Sequence, residues 1–397
     1  MSFAIALSGV NAINADLATI SNNIANSGTY GFKSSRSNFA SMYADSQPTG
    51  VEVGSLSQSI GVGGGVLNTG RSMDVAIQGR GFFITKDTTG ETLYSRVGIF
   101  GADKDGYITD SFNRRVQGYA AIPGSTVLGA MGDLTVTKGQ LPASASKSLD
   151  YVGNVSADWT VPTVAPFDPA DPQTFNGSMV SVVYDSLGAQ HTVTQYFVKT
   201  APNEVTVQYG FDGAQLGAGT ETVLQFSPSG QLTAPAGPVT KNLPLPATVD
   251  PISLSVNYTG TTQYAGQATT TVNKTDGYAS GAFTGVSIDQ DGSVLAQYSN
   301  GLKQRVGTIA IANFPNEDGL KATSDTSWTS TNASGEPLYD VPGMGMAGSL
   351  ATGALEQSNV DLTQQLVSLM TSQRNYQANT KVFSTVDAMT QALMNAV

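Results

Sequence analysis

Asp185, Asp289 and Asp291 are the carboxylates that could supply paired acid and base chemistry of the glycosidase kind. Their contexts are those of β-turns, as in Asp291-Gly292, where a carboxylate ordinarily holds backbone amides rather than substrate. Asp103, Asp105 and Gly106 resemble the opening of a calcium loop, but the distal Glu and the remaining ligands are missing, so a plain turn is expected. Gly61, Gly63, Gly64 and Gly65 could cradle a phosphate only within GxxxxGK[ST] or a strand-GxGxxG-helix frame, and neither is present. With no cysteine and a single histidine, His191, thiolate zinc sites, disulfides, cysteine nucleophiles and imidazole clusters lose their raw material. The chain is therefore expected to be no enzyme, with no metal and no cofactor. A glycosidase-like enzyme and a secreted β-rich adhesin stand as the alternatives from other classes.

What remains to carry function is architecture. Phe3, Val10, Leu17 and Ile24 recur every seven residues, with Ala6, Ile13 and Ile20 between them, so the N-terminal stretch is predicted to be a helix with one apolar seam. At the other end Leu362, Leu369, Tyr376 and Phe383 repeat the same period, with Leu366, Val386 and Leu393 close to that stripe. These two ends are expected to pair, and a two-helix coil leaves apolar side chains wet unless other copies cover them. Assembly is the function this pattern favours.

At 397 residues the chain exceeds what one core usually supports. Charged residues make up 12%, and the formal net charge of -11 opposes binding to nucleic acid or an anionic membrane. Met1 to Phe32 contains no Lys or Arg, so a conventional secretory leader is not expected, and no run reads as long enough to span a bilayer.

The fold class expected is mainly β with α-helical termini: a coiled coil of the terminal helices, a split β domain and an inserted outer β domain. Residues 1–27 and 357–397 form the helical part, with the first helix ending near Asn26-Ser27-Gly28 and the last opening on a capping box from Ser358 to Asp361. Residues 28–70 and 328–356, rich in small residues and glycine, are expected to be loose connectors. Residues 71–145 and 285–327 alternate apolar and polar residues around the turns Asp105-Gly106, Asp291-Gly292 and Asn300-Gly301, and so read as one β domain built from both sides. Residues 146–284 form the insertion, where four Lys against ten acidic residues leave a net -6.

The stretch Asn22 to Ser35, NNIANSGTYGFKSS, resembles the N-terminal signature of the bacterial flagellar axial proteins, the rod and hook family. NTGRSMDVAIQGRGFF from Asn68, YSRVGIF from Tyr94 and the segment from Leu355 to Leu393 extend the likeness over roughly the first 120 and the last 110 residues. The inserted domain and the length of the first connector resemble the hook-type members; a rod-type subunit is the alternative. The likeness implies a helical polymer of many copies, curved and flexible, that carries torque from rod to filament as a universal joint. It implies an extracellular place in the flagellum, export by the flagellar type III apparatus without a cleaved leader, and a distal rod protein, a hook cap protein and a hook-filament junction protein as partners.

Assembly contacts are expected from Phe3, Val10, Ile13, Leu17, Ile20, Ile24, Leu362, Leu366, Leu369, Tyr376, Phe383, Val386 and Leu393. The positions matching the family signature are Asn22, Asn23, Asn26, Gly31, Phe32, Gly70, Arg71, Asp74, Gln373 and Arg374. Arg374 stands out among them, because a guanidinium bridges carboxylates with fixed geometry and basic residues are scarce nearby. Gly61, Gly63, Gly64 and Gly65 are expected to form a flexible connector that lets β domains tilt against the helices.

Overall fold

The computed structural model describes residues 2–44, 47–122, 125, 127–217, 219–246 and 249–394. It divides into two compact units, one of residues 1–138, 285–297 and 303–397, the other of residues 139–284 and 298–302.

In the first unit the terminal stretches are the helices α1 (Ser2–Ala25) and α2 (Leu362–Met394). α1 stops where Asn26 and Ser27 take over the last carbonyls, Asn26 N–H bonding the Asn22 carbonyl at 3.1 Å and Ser27 N–H the Ile24 carbonyl at 3.3 Å. α2 starts one residue after Asp361, whose carboxylate accepts from Gln364 N–H at 3.1 Å. The cap is thus Asp361 rather than Ser358, because Ser358 turns its hydroxyl to Val360 N–H, two residues on.

By length and composition Phe3–Ala25 could cross a membrane, contrary to the expectation from sequence. Its scattered Asn residues and single Asp interrupt the apolar run without lowering the average enough.

The region expected to be a loose connector is ordered by pairing. β1 (Ser35–Ala44) and β2 (Gln47–Gln58) form a long antiparallel hairpin running from Ser35 opposite Gln58 to Ala44 opposite Gln47, with irregular steps after Asn38 and Met42. The hairpin lies against α1: Ser8 Oγ accepts from Val51 N–H at 3.2 Å, and Thr19 Oγ1 meets Ser37 Oγ at 2.9 Å. Composition suggested looseness because the segment is rich in small residues and glycine, but such a hairpin still satisfies its backbone along the ladder.

The sheet of this unit joins thirteen of the described strands and is built from both sides of the insertion. Arg115–Ala121 pairs with Lys303–Ile309, and Phe82–Lys86 pairs with Ile311–Asn313. Phe82, Ile84, Phe314 and Trp328 fill the core beneath it, with edge-on ring contacts at 5.6–6.0 Å.

The second unit has two sheets around one core. Six antiparallel strands from Gly177–Tyr184 to Leu232–Ala234 form one of them. In the other, Ser148–Asn154 lies between Ser253–Asn257, parallel to it, and Thr269–Thr275, antiparallel. Strands such as Glu204–Phe211 alternate half-buried and buried side chains, the period-two signature that faces one side inward.

Candidate polymerisation surface and its anchor

α1 and α2 pair antiparallel. Phe3 and Phe383 sit 4.6 Å apart between ring centroids. A Cβ on Gly9 would lie 2.9 Å from Asn379 Oδ1, Ser372 Oγ donates to Asp16 Oδ2 at 2.5 Å, and Asn23 Nδ2 donates to Gln365 Oε1 at 3.3 Å. The last three contacts step by seven in both helices, so over that length the expected period is present in a different phase, while Phe3 and Phe383 of the predicted series meet at the end of the pair. The line where the helices meet is small and polar, at Gly9, Asp16 and Asn23, one position before the apolar series Val10, Leu17 and Ile24. The helices approach closely there because the side chains between them are short.

The apolar series is consequently left toward the outside. Phe3 remains 45% exposed, Leu362 47% and Leu366 50%. Val10, Ile13, Leu17, Ile24, Leu369, Tyr376, Phe383 and Val386 are half-buried, and of the predicted interface residues described, Ile20 alone is buried. The side chain of Leu393 lies outside the described residues. Ile5, Leu7, Val367, Met370, Val382 and Met389 add further exposed apolar surface on the same two helices. A groove of about 510 Å³ opens between α1, α2 and the hairpin, lined by Ile5, Ala12, Ile13, Phe39, Val51 and Asn375 among others.

The signature positions hold the roots of the helices. Asn23 is buried and accepts from Ser35 N–H at 2.9 Å while donating to the Ser35 carbonyl, which fixes the chain as it leaves α1. Asn22 and Asn26 bond each other on the exposed side at 2.9 Å. Gly31 has φ +67°, and a Cβ there would meet Val97 and the Arg96 backbone at 3.0–3.2 Å, so a side chain is excluded twice over. Half-buried Phe32 lends its carbonyl to Asn359 N–H at 3.3 Å. Gly70 is also left-handed, and exposed Arg71 approaches buried Asp74, which accepts from Thr69 Oγ1 at 2.7 Å. Gln373 and Arg374 point to the surface.

Sequence reasoning missed the anchor itself. Lys33, Arg96 and Glu356, from three separate signature stretches, meet in the interior with side chains 0–2% exposed. Lys33 Nζ donates to Glu356 Oε1 and to the Val62 carbonyl, both at 2.7 Å, and Arg96 donates to Glu356 Oε2 at 3.4 Å and to the Gly79 carbonyl at 2.9 Å. Burial pulls the Lys33 ammonium below its ordinary range against the opposing pull of the Glu356 carboxylate. Arg96 is lowered by burial in the same way, and its Cζ lies over the Phe82 ring, 5.1 Å from the centroid. The available signal was scarcity: in a chain with so few charges, a Lys in YGFKSS and a Glu in GALEQS interrupt otherwise uncharged motifs.

The four glycines expected to flex run beside this anchor. Gly64 N–H donates to Glu356 Oε1 at 3.0 Å, and Gln357 N–H donates to the Gly65 carbonyl at 2.7 Å. A Cβ on Gly64 would stand 1.8 Å from the Gln357 carbonyl oxygen, so glycine is there for close approach. Gly61 and Gly63 have more room, with the nearest atoms 3.3 and 3.9 Å from an added Cβ. Asn359 closes the assembly by accepting from Ser34 N–H at 2.7 Å and donating to the Ser59 and Val62 carbonyls at 3.0 Å.

The residues weighed for chemistry each serve a local turn. Asp185 accepts from Leu187 and Ala189 N–H, Asp291 from Ser293 N–H and hydroxyl, and Asp103 from Asp105 and Tyr107 N–H. Asp289 N–H donates to the Ser293 carbonyl. His191 bonds Asp212 through Nδ1 at 2.7 Å. Among the described residues no three metal-ligating side chains converge.

Three family profiles match in succession: the flagellar hook protein FlgE/F/G D1 domain over residues 76–147, the flagellar basal body protein FlaE D2 domain over 154–278, and the flagellar basal body rod FlgEFG protein C-terminal region over 351–396. The chain is 36% identical over 404 residues to the flagellar hook protein FlgE of Escherichia coli K12, and 37% identical over 405 residues to that of Salmonella typhimurium LT2, with 100% of each chain covered in both cases. The crystal structure of Helicobacter pylori flagellar hook protein FlgE2 superposes with a TM-score of 0.54 at 12% identity, covering 73% of this chain and all of the other, which supports the fold alone. Full-length likeness at this identity, with the signature segments converging on one buried anchor, places the chain in the flagellar hook protein family, a family of structural and not catalytic proteins.

Proposed function

We propose that this hook subunit, at work in the extracellular part of the flagellum, polymerises through its terminal helices into a bendable tube that passes torque from rod to filament. The observation that supports this is the apolar surface left on two helices that already have each other as partners: Leu366, Val367, Met370 and Met389 stay 50–69% exposed. A monomer rarely carries such a stripe unless something covers it. Identical copies joined by unlike patches propagate into a filament rather than close into a ring.

The anchor gives this reading a load path. Force on α2 enters Glu356 and Asn359, and from there Lys33, Arg96 and the sheet behind them, without crossing a loose linker. Because the glycine segment is pinned, bending is assigned to contacts between copies. A distal rod protein at the base, a cap protein during growth, a junction protein at the far end and the type III export apparatus are the partners that fit such a tube.

Removing residues 1–21 and 362–397 tests the proposal while sparing Asn23, Lys33, Glu356 and Asn359. Electron microscopy of the purified chain is expected to show tubes from the full-length protein and none from the truncated one, whose β-sheet circular dichroism should persist. Tubes from the truncated chain would overturn it.

A further inference from the structure

Among the described residues of α1, α2 and the hairpin, six side chains are charged and three of them have a hydrogen-bond partner. Asp16 is bonded to Ser372, Arg36 to Asn38 and Asp387 to Gln391. The side chains of Glu52, Arg374 and Lys381 are exposed and make no hydrogen bond or ion pair with any described residue. In a chain with 12% charged residues, three unpaired charges on one helix-and-hairpin module are a large share of its available polarity.

Their placement is ordered by sign. On α2, Gln365, Ser372 and Asn379 face α1, and Arg374 and Lys381 follow the last two by two positions, about 200° around the helix at 3.6 residues per turn. The cations therefore form a stripe on the side of α2 turned away from α1. On β2, Val51 lines the groove shared with the helices, and its neighbour Glu52 emerges on the opposite face of the strand. α1 residues that meet the hairpin, such as Ser8, and those that meet α2, such as Gly9, lie about a quarter turn apart on the helix. Glu52 and the two α2 cations consequently leave the module on two different sides and do not pair within one chain, while Arg36 on the hairpin and Asp387 on α2 are held by the neutral amides of Asn38 and Gln391.

We propose that Glu52 of one copy forms an ion pair with Arg374 of a second copy, so that the hairpin's outer face docks on the outer stripe of α2. The inference rests on the polymer reading and adds which faces meet. Two unlike patches of opposite charge on one molecule make a heterologous contact that each added copy regenerates, which suits an open helical assembly. Arg374, with its fork of donors, takes the carboxylate; Lys381, about two turns further along α2, broadens the positive field. The apolar residues beside Arg374 on α2, Val367 and Met370, are exposed in the single chain and gain cover from the same contact.

Charge reversal tests the pair. Glu52→Arg and Arg374→Glu should each raise the critical concentration for tube formation at least tenfold, and the double variant should return to within about threefold of the parent. Singles that polymerise like the parent, or a double variant as impaired as the worse single, overturn the pair. A parent chain that forms no tubes under the same conditions overturns the polymer reading, and the pair with it. Proximity is read separately on the cysteine-free background, which keeps labelling specific. A chain carrying both Glu52→Cys and Arg374→Cys, joined by a short bismaleimide in assembled tubes, should give a ladder of covalent oligomers. Each single-cysteine chain should give none. Absence of the ladder in tubes that do form overturns the proposal even if the reversal series is ambiguous.

Discussion

In the unit of residues 139–284 and 298–302, Leu149, Val205, Leu224 and Leu254 have none of their surface exposed, whereas on α1 and α2 the larger apolar side chains Leu366, Val367 and Met389 remain at least half in solvent. Burying a Leu or Val fully is worth about 1.5–3 kcal/mol, so the inserted unit completes its own core while the helix pair leaves that stabilisation uncollected in the single chain, to be supplied by other copies under the proposed assembly. Between these extremes lies the anchor, where three charges are sunk beneath the sheet and bonded to one another. The contrast separates a part that folds for itself, a joint that is locked, and a pair of arms whose apolar surface the single chain leaves uncovered.

The largest expected effect breaks the lock. Glu356→Ala leaves the Lys33 ammonium and the Arg96 guanidinium buried without their shared carboxylate, and breaking a buried ion pair in this way costs about 3–5 kcal/mol. Urea unfolding followed by Trp328 fluorescence on a Trp159→Phe background, which confines the signal to the unit containing the anchor, should show that loss. Tyr209 and Tyr258 of the inserted unit should keep their midpoint. Equal shifts in both would mean that the two units unfold as one.

Next comes the glycine segment, where sequence and structure part. Gly64→Ala forces a Cβ toward the Gln357 carbonyl and should cost about 1–3 kcal/mol by overpacking, while Gly63→Ala, with 3.9 Å to its nearest neighbour, should be close to neutral. If both are neutral in thermal unfolding, the segment is as loose as its composition suggests. Composition misled because glycine serves both freedom and close approach, and only the neighbour across the gap tells them apart.

The same limit governed the helices. The spacing of Phe3, Val10, Leu17 and Ile24 correctly announced a seven-residue period, since a period is a property of one strip of sequence. It could not give the phase, because the stripe most visible in the sequence is not the line along which the two helices meet, and the intramolecular line of Gly9, Asp16 and Asn23 looks like an ordinary polar face. The nested β architecture was legible because alternation and Asp-Gly or Asn-Gly turns are local signals. Lys33, Arg96 and Glu356 were not, because nothing local relates positions more than 250 residues apart.

A pH titration sharpens the contrast from the side of the self-sufficient unit. Tyr209 bonds Thr222 and Tyr258 in the interior, and burial pushes its phenol up to about 12, with Tyr258 raised well above its ordinary value. Between pH 10 and 12 the unfolded chain has lost these protons and the folded one keeps them, so stability falls as pH rises, by about 1.4 kcal/mol per pH unit for Tyr209 alone. Tyr209→Phe should flatten that decline in a urea series at pH 9, 10 and 11. In the anchor unit Lys33 acts with the opposite sign: its pKa is lowered on folding, so from that lowered value up to 10.5 the unfolded chain binds more protons and stability rises with pH. Because Tyr94 of the same unit is also raised by burial and adds its own loss above pH 10, Lys33 is read below that: an anchor-unit stability that falls rather than rises between pH 9 and 10 would reverse the assignment.

The smallest effect concerns the arms. Ser372→Ala removes the hydroxyl that donates to Asp16, a half-buried contact along a polar line, and should cost about 1 kcal/mol or less. That cost should fall on the helix pair alone. In the unassembled chain, α1 amides should exchange a few-fold faster with solvent hydrogen, while the amides of Phe82–Lys86 and Ile311–Asn313 stay as protected as before. In tubes the α1 difference should shrink, because the apolar stripe is then covered and the polar line no longer decides whether α1 stays in place. If the substitution instead loosened the sheet in the free chain, the arms would already be part of the self-sufficient fold. The exposed apolar stripe would then have to be explained by something other than assembly.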